Sequence, residues 1–256
     1  MLAILLSIPV SVGLLIWMAR MKKTNPFPKY TFLKLLIAGV LAGVVSAFLS
    51  LLGGFIALLI EIGPEQFKLL LNAETAQQVL DSMNNTSQAV TVTSVLLGLV
   101  RTFLLVGFAE EIAKFFGAKI VMRKKGVVHT WLDALICFAV VAVGFQLAED
   151  ISYSAGSIGI AIFRSLTPFH FTFAVIVGYF YGLGKVKSKG AYTALGIFIA
   201  SFIHTVYDFS INLLRRTEDF AFLALFMIGF MFILTVAAIL KLRKWHKNGS
   251  LDIPIV

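Results

Sequence analysis

The chain has 256 residues, of which 59% are hydrophobic and only 14% are charged. Soluble domains carry about 25% charged residues, so this composition excludes a typical soluble protein and indicates an integral membrane protein. The formal net charge is +9, which is also typical of nucleic-acid-binding proteins. Here the basic residues form short clusters between apolar segments, which is how membrane topology is encoded, and we expect no nucleic-acid partner.

Seven apolar segments are long enough to cross a bilayer, which takes about 20 residues in a helix. Of the 22 basic residues, 16 fall within 20–34, 119–130, 185–190 and 241–247. The positive-inside rule then places the N-terminus outside and the C-terminus inside. The sequence therefore predicts an all-α polytopic membrane helix bundle with about seven transmembrane helices. The predicted segments are roughly 1–19, 33–60, 92–122, 131–153, 158–183, 191–214 and 219–240.

We divide this one membrane domain into three parts. Residues 1–90 hold two helices and an outer loop, 91–215 form a four-helix core, and 216–256 hold the last transmembrane helix and a basic cytoplasmic tail. Within the outer loop, 66–83 have the pattern of a helix with a membrane-facing stripe. We assign this loop no chemistry.

Two adjacent glutamates, Glu110 and Glu111, lie inside the apolar segment 92–122, and Lys114 follows them by four and three residues. A charged side chain at the bilayer centre costs from ~3 to over ~10 kcal/mol, so this cluster needs a compensating reason. On a helix Lys114 can reach either glutamate. One interpretation is a self-neutralised structural pair. The other, which we favour, is a carboxylate kept for chemistry, with Lys114 setting its charge.

Polar side chains recur in the next three apolar segments. Because each isolated group would need its own partner in the membrane, we expect one shared internal pocket. At ~1.5 Å per residue, Glu110 and both histidines lie near the midplane, and the pocket opens towards the outer face. Glu149 would need a tilt or bend in its helix to come level with Glu110. These groups are Glu149 and Asp150 in the fourth segment, Arg164 and His170 in the fifth, and His204 and Asp208 in the sixth.

Local spacing suggests how some of these groups pair. Asp208 follows His204 by four residues, so it lies on the same helical face and can hold the imidazole's tautomer. Pro168 removes a backbone hydrogen bond just before His170, which favours a bent, cavity-lining segment. Arg164 is either an interfacial side chain or a countercharge to Glu149 or Asp150, and we favour the countercharge.

The order of these motifs resembles the PrsW family of intramembrane proteases. The motifs are Glu-Glu-x-x-Lys, Phe-x-x-x-Glu and His-x-x-x-[Asp/Asn] on successive helices. The resemblance implies a relation to the CAAX-prenyl proteases and to bacteriocin-processing membrane proteins. It covers about residues 92–215, and it departs from the family at Asp150 and Asp208, where relatives often have Asn. The matching residues are Glu110, Glu111 and Lys114; Phe145 and Glu149; Arg164 and His170; and His204 and Asp208.

The resemblance implies a membrane-embedded peptidase of the bacterial plasma membrane. The member after which the family is named cuts a membrane-anchored anti-sigma factor, so we expect a membrane-anchored protein substrate and site-1 cleavage of that kind. We expect Glu110 to be the general base and Glu111 to orient it, although the two could exchange roles. Glu149 and His170 would position water or protonate the leaving group. His204, steadied by Asp208, would bind the oxyanion.

Metal dependence stays open at this point. We favour a glutamate-activated water with no cofactor, but His170, His204 and Glu149 are also acceptable zinc ligands. No His-Glu-x-x-His spacing is present in the sequence. Two non-enzymatic alternatives also remain: a proton-coupled membrane transporter, which places the same residue types near the midplane, and a non-catalytic membrane scaffold of the same fold.

Overall fold

The computed structural model describes residues 2–23, 25–70, 75, 91–154, 158–214 and 218–255. Within these ranges the backbone is almost entirely helical, and the one strand-like contact is an isolated bridge between Thr130 and Pro254. The prediction of an all-α polytopic bundle is therefore confirmed. The helices are α1 (Leu2–Met21), α2 (Thr31–Leu70), α3 (Val92–Thr102), α4 (Phe108–Met122), α5 (Trp131–Ser154), α6 (Ile158–Leu166), α7 (Phe169–Val186), α8 (Gly190–Leu214) and α9 (Ala221–Lys247).

Six helical segments of the described chain are long and apolar enough to cross a membrane. The predicted first segment corresponds to α1, for which the comparable apolar stretch is the shorter Ile8–Met21. The side of the membrane that each end faces stays a prediction. The six segments are Thr31–Ile60, Val92–Met122, Trp131–Tyr153, Ile162–Val186, Gly190–Leu214 and Glu218–Lys247.

Helix α5 is the centre of the bundle. Its residues from Trp131 to Phe145 are almost all buried, and α1, α2, α4, α6 and α7 pack around it. Two glycines let α2 and α5 approach closely. A Cβ atom on Gly144 would overlap the carbonyl oxygen of Leu36, and one on Gly39 would overlap that of Val141. Close helix contact in a membrane requires such small residues.

Helix α2 is kinked at Gly63, whose φ of 71° is accessible mainly to glycine. Beyond the kink the helix continues to Leu70. The helix predicted at 66–83 therefore has only its first turn among the described residues, and most of it lies outside them.

The segment 92–122 is one continuous span, as predicted, but it contains a π-helical turn at Phe103–Gly107. Thr91 and Ser94 form a reciprocal capping box where α3 begins. The π turn widens the helix by one residue, and the Ser50 hydroxyl donates a hydrogen bond to the Leu105 carbonyl there. Such turns are frequent at functional sites, and this one directly precedes the two glutamates.

The predicted segment 158–183 is bent at Pro168, as expected, and the bend is a full break between α6 and α7. Pro168, with ψ of 64°, stands at the break and precedes α7. A proline cannot donate the backbone hydrogen bond that a continuous helix needs there. His170 is therefore the second residue of a new helix rather than the middle of a long one.

The C-terminal residues cap the N-terminal end of α5. The backbone N–H groups of Trp131 and Leu132 donate to the carbonyls of Ile253 and Leu251, at 3.0 and 2.9 Å. The first N–H groups of a helix have no partner within the helix, so the C-terminal segment supplies acceptors for them.

Candidate active site

A cavity of about 310 Å³ lies between the helices that carry the polar residues. Its walls come from the π turn and from α4, α5, α6, α7 and α8, with the Thr167–Pro168 break on one side. Every one of the four segments in which the sequence places buried polar groups therefore contributes to one pocket. The side chains that carry polar groups into it are Glu110, Gln146, Glu149, Tyr153, Arg164, Thr167, His170, His204, Tyr207, Asp208 and Asn212.

The two adjacent glutamates have different surroundings. Glu110 lines the cavity, and its Oε2 atom is buried without a hydrogen-bond partner among the described residues. The nearest ring nitrogen is His204 Nε2, at 3.7 Å. Glu111 is only 2% exposed, and its Oε1 accepts from Lys114 Nζ at 2.6 Å. Neighbouring residues point about 100° apart on a helix, so only one of the pair can face the cavity fully.

Lys114 connects the second glutamate to a histidine on another helix. Its Nζ atom donates to Glu111 Oε1 at 2.6 Å and to His170 Nδ1 at 2.8 Å, and it lies 4.5 Å from the centre of the Phe145 ring. A lysine ammonium can only donate, so His170 Nδ1 is the acceptor. The expected pairing of Lys114 with a glutamate is thus present, and the partner is Glu111.

His170 and Glu149 form the second pair at the cavity. Because His170 Nδ1 accepts from Lys114, its Nε2 carries the proton and donates to Glu149 Oε2 at 2.6 Å. Arg164 Nη2 donates to the same oxygen at 2.8 Å, and Arg164 Nε donates to Asp150 Oδ1 at 3.0 Å. Arg164 therefore lies as the predicted countercharge to both carboxylates. The break before α7 brings His170 level with Glu149.

His204 lies between three carboxylates. Its Nδ1 is 3.1 Å from Glu111 Oε1, and its Nε2 is 3.1 Å from Asp208 Oδ2 and 3.7 Å from Glu110 Oε2. The ring stacks on Phe173 with a centroid distance of 4.8 Å. Carboxylates on both nitrogens fix the orientation of an imidazole, which a catalytic or metal-binding ring requires.

Among the described residues, Glu110, His170 and His204 form a group that could hold a metal ion. Each offers one ligand atom, and these atoms lie within 4.8 Å of one another. Two ligands of one zinc ion stand about 3.3 Å apart, given metal–ligand bonds near 2.0–2.1 Å, so small side-chain movements would suffice. Glu110 Oε2 has no hydrogen-bond partner among the described residues, and a cation would supply one. The residues present fit a zinc ion.

The metal-ligand set in the structure differs from the one that the sequence suggests. The sequence groups Glu149 with the two histidines, whereas the structure groups Glu110 with them. Glu149 instead hydrogen-bonds His170 Nε2, and Asp208 faces His204 Nε2. Metal binding at the Nε2 atoms would replace those contacts.

The structure brings all nine predicted site residues into one connected cluster. Six of them line the cavity: Glu110, Glu149, Arg164, His170, His204 and Asp208. Glu111, Lys114 and Asp150 lie behind them and contact them. Gln146 is a residue at the cavity that the sequence reasoning missed. Its spacing of three and four residues before Glu149 and Asp150 is the signal that could have found it.

A buried pocket of carboxylates and histidines in a polytopic helical bundle defines a class: a membrane-embedded protein with the side chains of a hydrolytic site. The family model for "PrsW family intramembrane metalloprotease" matches residues 27–238. The chain therefore belongs to the PrsW family of intramembrane proteases. This confirms the resemblance and makes the protein a multi-pass protein of the bacterial cell membrane.

Curated relatives agree with this assignment. The chain is 30% identical over 150 residues to Protease PrsW of Halalkalibacterium halodurans, which covers 57% of this chain and 67% of the relative. It is 31% identical over 149 residues to Protease PrsW of Shouchella clausii, covering 56% and 67%. Identity to Protease PrsW of Bacillus subtilis is 29% over 121 residues, covering 45% and 56%. No solved structure matches the chain significantly.

Proposed function

We propose that this protein hydrolyses a peptide bond of a membrane-anchored protein, with Glu110 as the carboxylate at the reacting centre. The observation that carries the proposal is the cavity in which Glu110, Glu149, His170 and His204 converge. Peptide hydrolysis needs an activated water, a donor for the developing oxyanion and an acid for the leaving amine. These side-chain types can supply all three functions.

Glu110 is the best candidate to receive the proton of the attacking water. Glu110 lines the cavity, and its Oε2 atom has no hydrogen-bond donor among the described residues, so this oxygen has capacity left for a proton or a cation. Glu111 cannot serve equally well, because Lys114 Nζ and His204 Nδ1 already contact its Oε1. We therefore assign Glu111 the positioning of Lys114 and His204.

The two histidines would supply the protons for the leaving amine and for the oxyanion. His170 Nε2 carries a proton that it now donates to Glu149, and this pair can pass the proton to a leaving amine. His204, held by Glu111 and Asp208, would donate to the oxyanion. Arg164 keeps Glu149 and Asp150 in place through its two ion pairs.

The same site supports a metal-dependent form of the reaction. Glu110, His170 and His204 would hold the ion, which when bound acts as a Lewis acid and lowers the pKa of a coordinated water. In that form Glu110 is a ligand, and Glu111 would still orient the His204 ring through Nδ1. Glu149 and Asp208 would give up their contacts with the two Nε2 atoms and remain beside the ion as acceptors. The buried, unpartnered Glu110 Oε2 and the family description as metalloproteases both favour this form.

For the substrate, we propose a membrane-anchored anti-sigma factor cut at its extracytoplasmic side. The resemblance to the member that gives the family its name supports this substrate. A pocket that opens outwards, as the positive-inside pattern predicts, would meet such a protein at that side. The proton-coupled transporter and the inert scaffold find no support in the family match, which is to proteases.

The first experiment tests cleavage with purified protein in lipid nanodiscs. A panel of single-pass membrane proteins from the source genome, including its anti-sigma factors, is incubated with the wild type, Glu110→Ala and His204→Ala. We expect one substrate to be cut by the wild type alone, at a bond mapped by mass spectrometry. No cleavage of any panel member, or equal cleavage by all three proteins, contradicts the proposed protease. Cleavage of other proteins but no anti-sigma factor contradicts only the substrate.

The second experiment tests metal dependence. The wild type is treated exhaustively with a membrane-compatible chelator, assayed, and then given zinc. We expect activity to disappear and return, with about one equivalent of metal in elemental analysis that Glu110→Ala and His204→Ala lack. Full activity after chelation, in protein without measurable metal, contradicts the metal-dependent form and leaves the glutamate-activated water.

A further inference from the structure

Gln146 is a buried amide at the cavity that neither the sequence motifs nor the mechanism uses. It lies on α5, one turn before Glu149, and its side chain is 4% exposed. It lines the same cavity as Glu110 and the two histidines. A buried polar side chain in an apolar bundle is costly unless each of its polar atoms has a partner, so its two ends can be examined separately.

The nitrogen end of the amide is fixed. Gln146 Nε2 donates to Asp150 Oδ1 at 2.8 Å, and the same oxygen accepts from Arg164 Nε at 3.0 Å. A flipped amide would put two acceptor oxygens against each other at hydrogen-bond distance, which is unfavourable. The contact with Asp150 therefore determines which way the amide points.

The oxygen end is left without a donor. Gln146 Oε1 is buried and has no hydrogen-bond partner in the part of the chain that the structure describes. An unsatisfied buried acceptor costs stability, and such groups persist where a ligand supplies the missing donor. Since the nitrogen is held by Asp150, Oε1 is the atom that remains for a molecule in the cavity.

A peptide substrate brings donors of the right kind. The walls of the cavity are helices, whose backbone N–H and C=O groups are mostly paired within each helix. A peptide unwound for cleavage must therefore find side-chain partners for its own backbone groups. A carboxamide oxygen accepts a backbone N–H without adding charge, unlike the carboxylates Glu110, Glu149 and Asp208 that share the cavity.

From these contacts we propose that Gln146 Oε1 accepts a hydrogen bond from one backbone N–H of the substrate next to the scissile bond. Gln146 is then a substrate-positioning residue, and Asp150 and Arg164 hold its amide in the accepting orientation. The inference rests on the proposed protease function. The inference adds one specific contact to that function: a single side chain, Gln146, recognises one backbone amide of the substrate at a defined position.

The test couples a protein variant to removal of the substrate N–H. Synthetic peptides spanning the mapped bond carry an ester in place of one non-scissile amide at a time, which deletes that N–H. Each is assayed with the wild type and with Gln146→Met, which keeps the side-chain length without the oxygen. Thr235→Val is the matched control, since Thr235 is a buried polar side chain on α9 that does not line the cavity. The binding of fluorescent peptides to the Glu110→Gln protein, with and without Gln146→Met, gives a second readout.

We expect one ester to lower kcat/KM and binding by about fivefold in the wild type and in Thr235→Val, the size of one neutral hydrogen bond. In Gln146→Met the parent peptide should already be weaker by a similar factor, and that ester should add little. A purely structural role for Gln146 predicts equal ester penalties in all the proteins, and that result would overturn the proposal. A peptide that binds but is never cut contradicts the protease function. The binding measurements with and without Gln146→Met then still test the contact with Gln146. A peptide that neither binds nor is cut overturns both.

Discussion

The bundle buries charges at two places, and the two places are built differently. At one end, Lys22 Nζ contacts Asp133 Oδ1 at 2.5 Å, and both side chains are almost completely buried. Asp133 Oδ2 accepts from the backbone N–H groups of His129 and Thr130, at 2.9 and 3.0 Å. Both carboxylate oxygens thus have partners, and the lysine also lies 4.7 Å from the centre of the Phe27 ring.

The charged residues at the cavity are built in the opposite way. We call them the open cluster, and we call Lys22 with Asp133 the closed pair. The open cluster holds more charged groups, yet the cavity leaves acceptors without donors among the described residues, namely Glu110 Oε2 and Gln146 Oε1. A fully satisfied ion pair holds helices together and has nothing left to offer a ligand, whereas unsatisfied groups in a cavity are available to one. Burial of charge alone therefore does not mark the site. The site is marked by unmet hydrogen-bonding capacity in residues that line a cavity.

The largest expected effect comes from removing the charge at the open cluster. Glu110→Gln should lower the cleavage rate by about 10²–10⁴-fold, because it removes the group at the reacting centre. The melting temperature in detergent should change little, since Glu110 Oε2 has no hydrogen bond to lose among the described residues and its contact with His204 Nε2 is long, at 3.7 Å. Glu218→Gln, at an exposed glutamate, is the control. Wild-type cleavage by Glu110→Gln would show that the open carboxylate is not functional.

The closed pair should give the reverse result. Asp133→Ala leaves Lys22 buried without its partner and should cost about 3–5 kcal/mol of unfolding free energy, measured by titration with dodecyl sulfate. The activity of the molecules that remain folded should be near that of the wild type. Replacing both residues, as Lys22→Met with Asp133→Leu, should recover much of the loss. If the single variant is as stable as the double, the pair is not a structural clamp.

The third test changes the geometry of the open cluster without touching its polar groups. A Cβ atom on Gly107 would overlap Thr205 Oγ1 and lie 2.6 Å from the Ser201 carbonyl oxygen, so Gly107→Ala should push α4 away from α8. We expect about a 10²-fold loss of activity and about 1–3 kcal/mol of destabilisation. Gly229→Ala on α9, where the new methyl group meets nothing within 4 Å, is the matched control. Equal activity of the two variants would contradict the geometric argument.

The smallest expected effect comes from changing Asp208, one of the three carboxylates near His204. Asp208→Asn keeps an acceptor near His204 Nε2, now at 3.1 Å, but removes the charge. We expect about a tenfold loss of activity with an unchanged melting temperature, as is usual for groups that orient a catalytic or metal-binding imidazole. Loss comparable to that of Glu110→Gln would mean that Asp208 itself takes part at the reacting centre.

Much of this arrangement could be predicted because it depends on local properties. The span Val92–Met122 has the predicted bounds, since length and apolarity suffice to define it. The pairing of His204 with Asp208 and of Lys114 with a glutamate follows from helical spacing. Pro168 indicated a disturbed helix before His170, although the full break into α6 and α7 was not expected.

Other features could not be read from spacing. Which of Glu110 and Glu111 faces the cavity depends on the rotation of α4, and the preceding π turn helps to set that rotation. The spacing of Gln146 before Glu149 and Asp150 indicates a shared helical face, but it does not tell whether that face meets the cavity. The burial of Lys22 against Asp133 joins residues 111 positions apart and needs α1 to pack on α5.

The sequence by itself therefore determined the membrane class, the positions of six of the seven predicted spans, the polar residues inside them and the family. These depend on composition, on helical periodicity and on ordered motifs within single helices. Only the tertiary structure decided which charges are closed into a pair and which remain open to a cavity. In a bundle whose helices are apolar on all sides, hydrophobicity does not orient a helix about its axis, so that choice is made by contacts between helices distant in the chain.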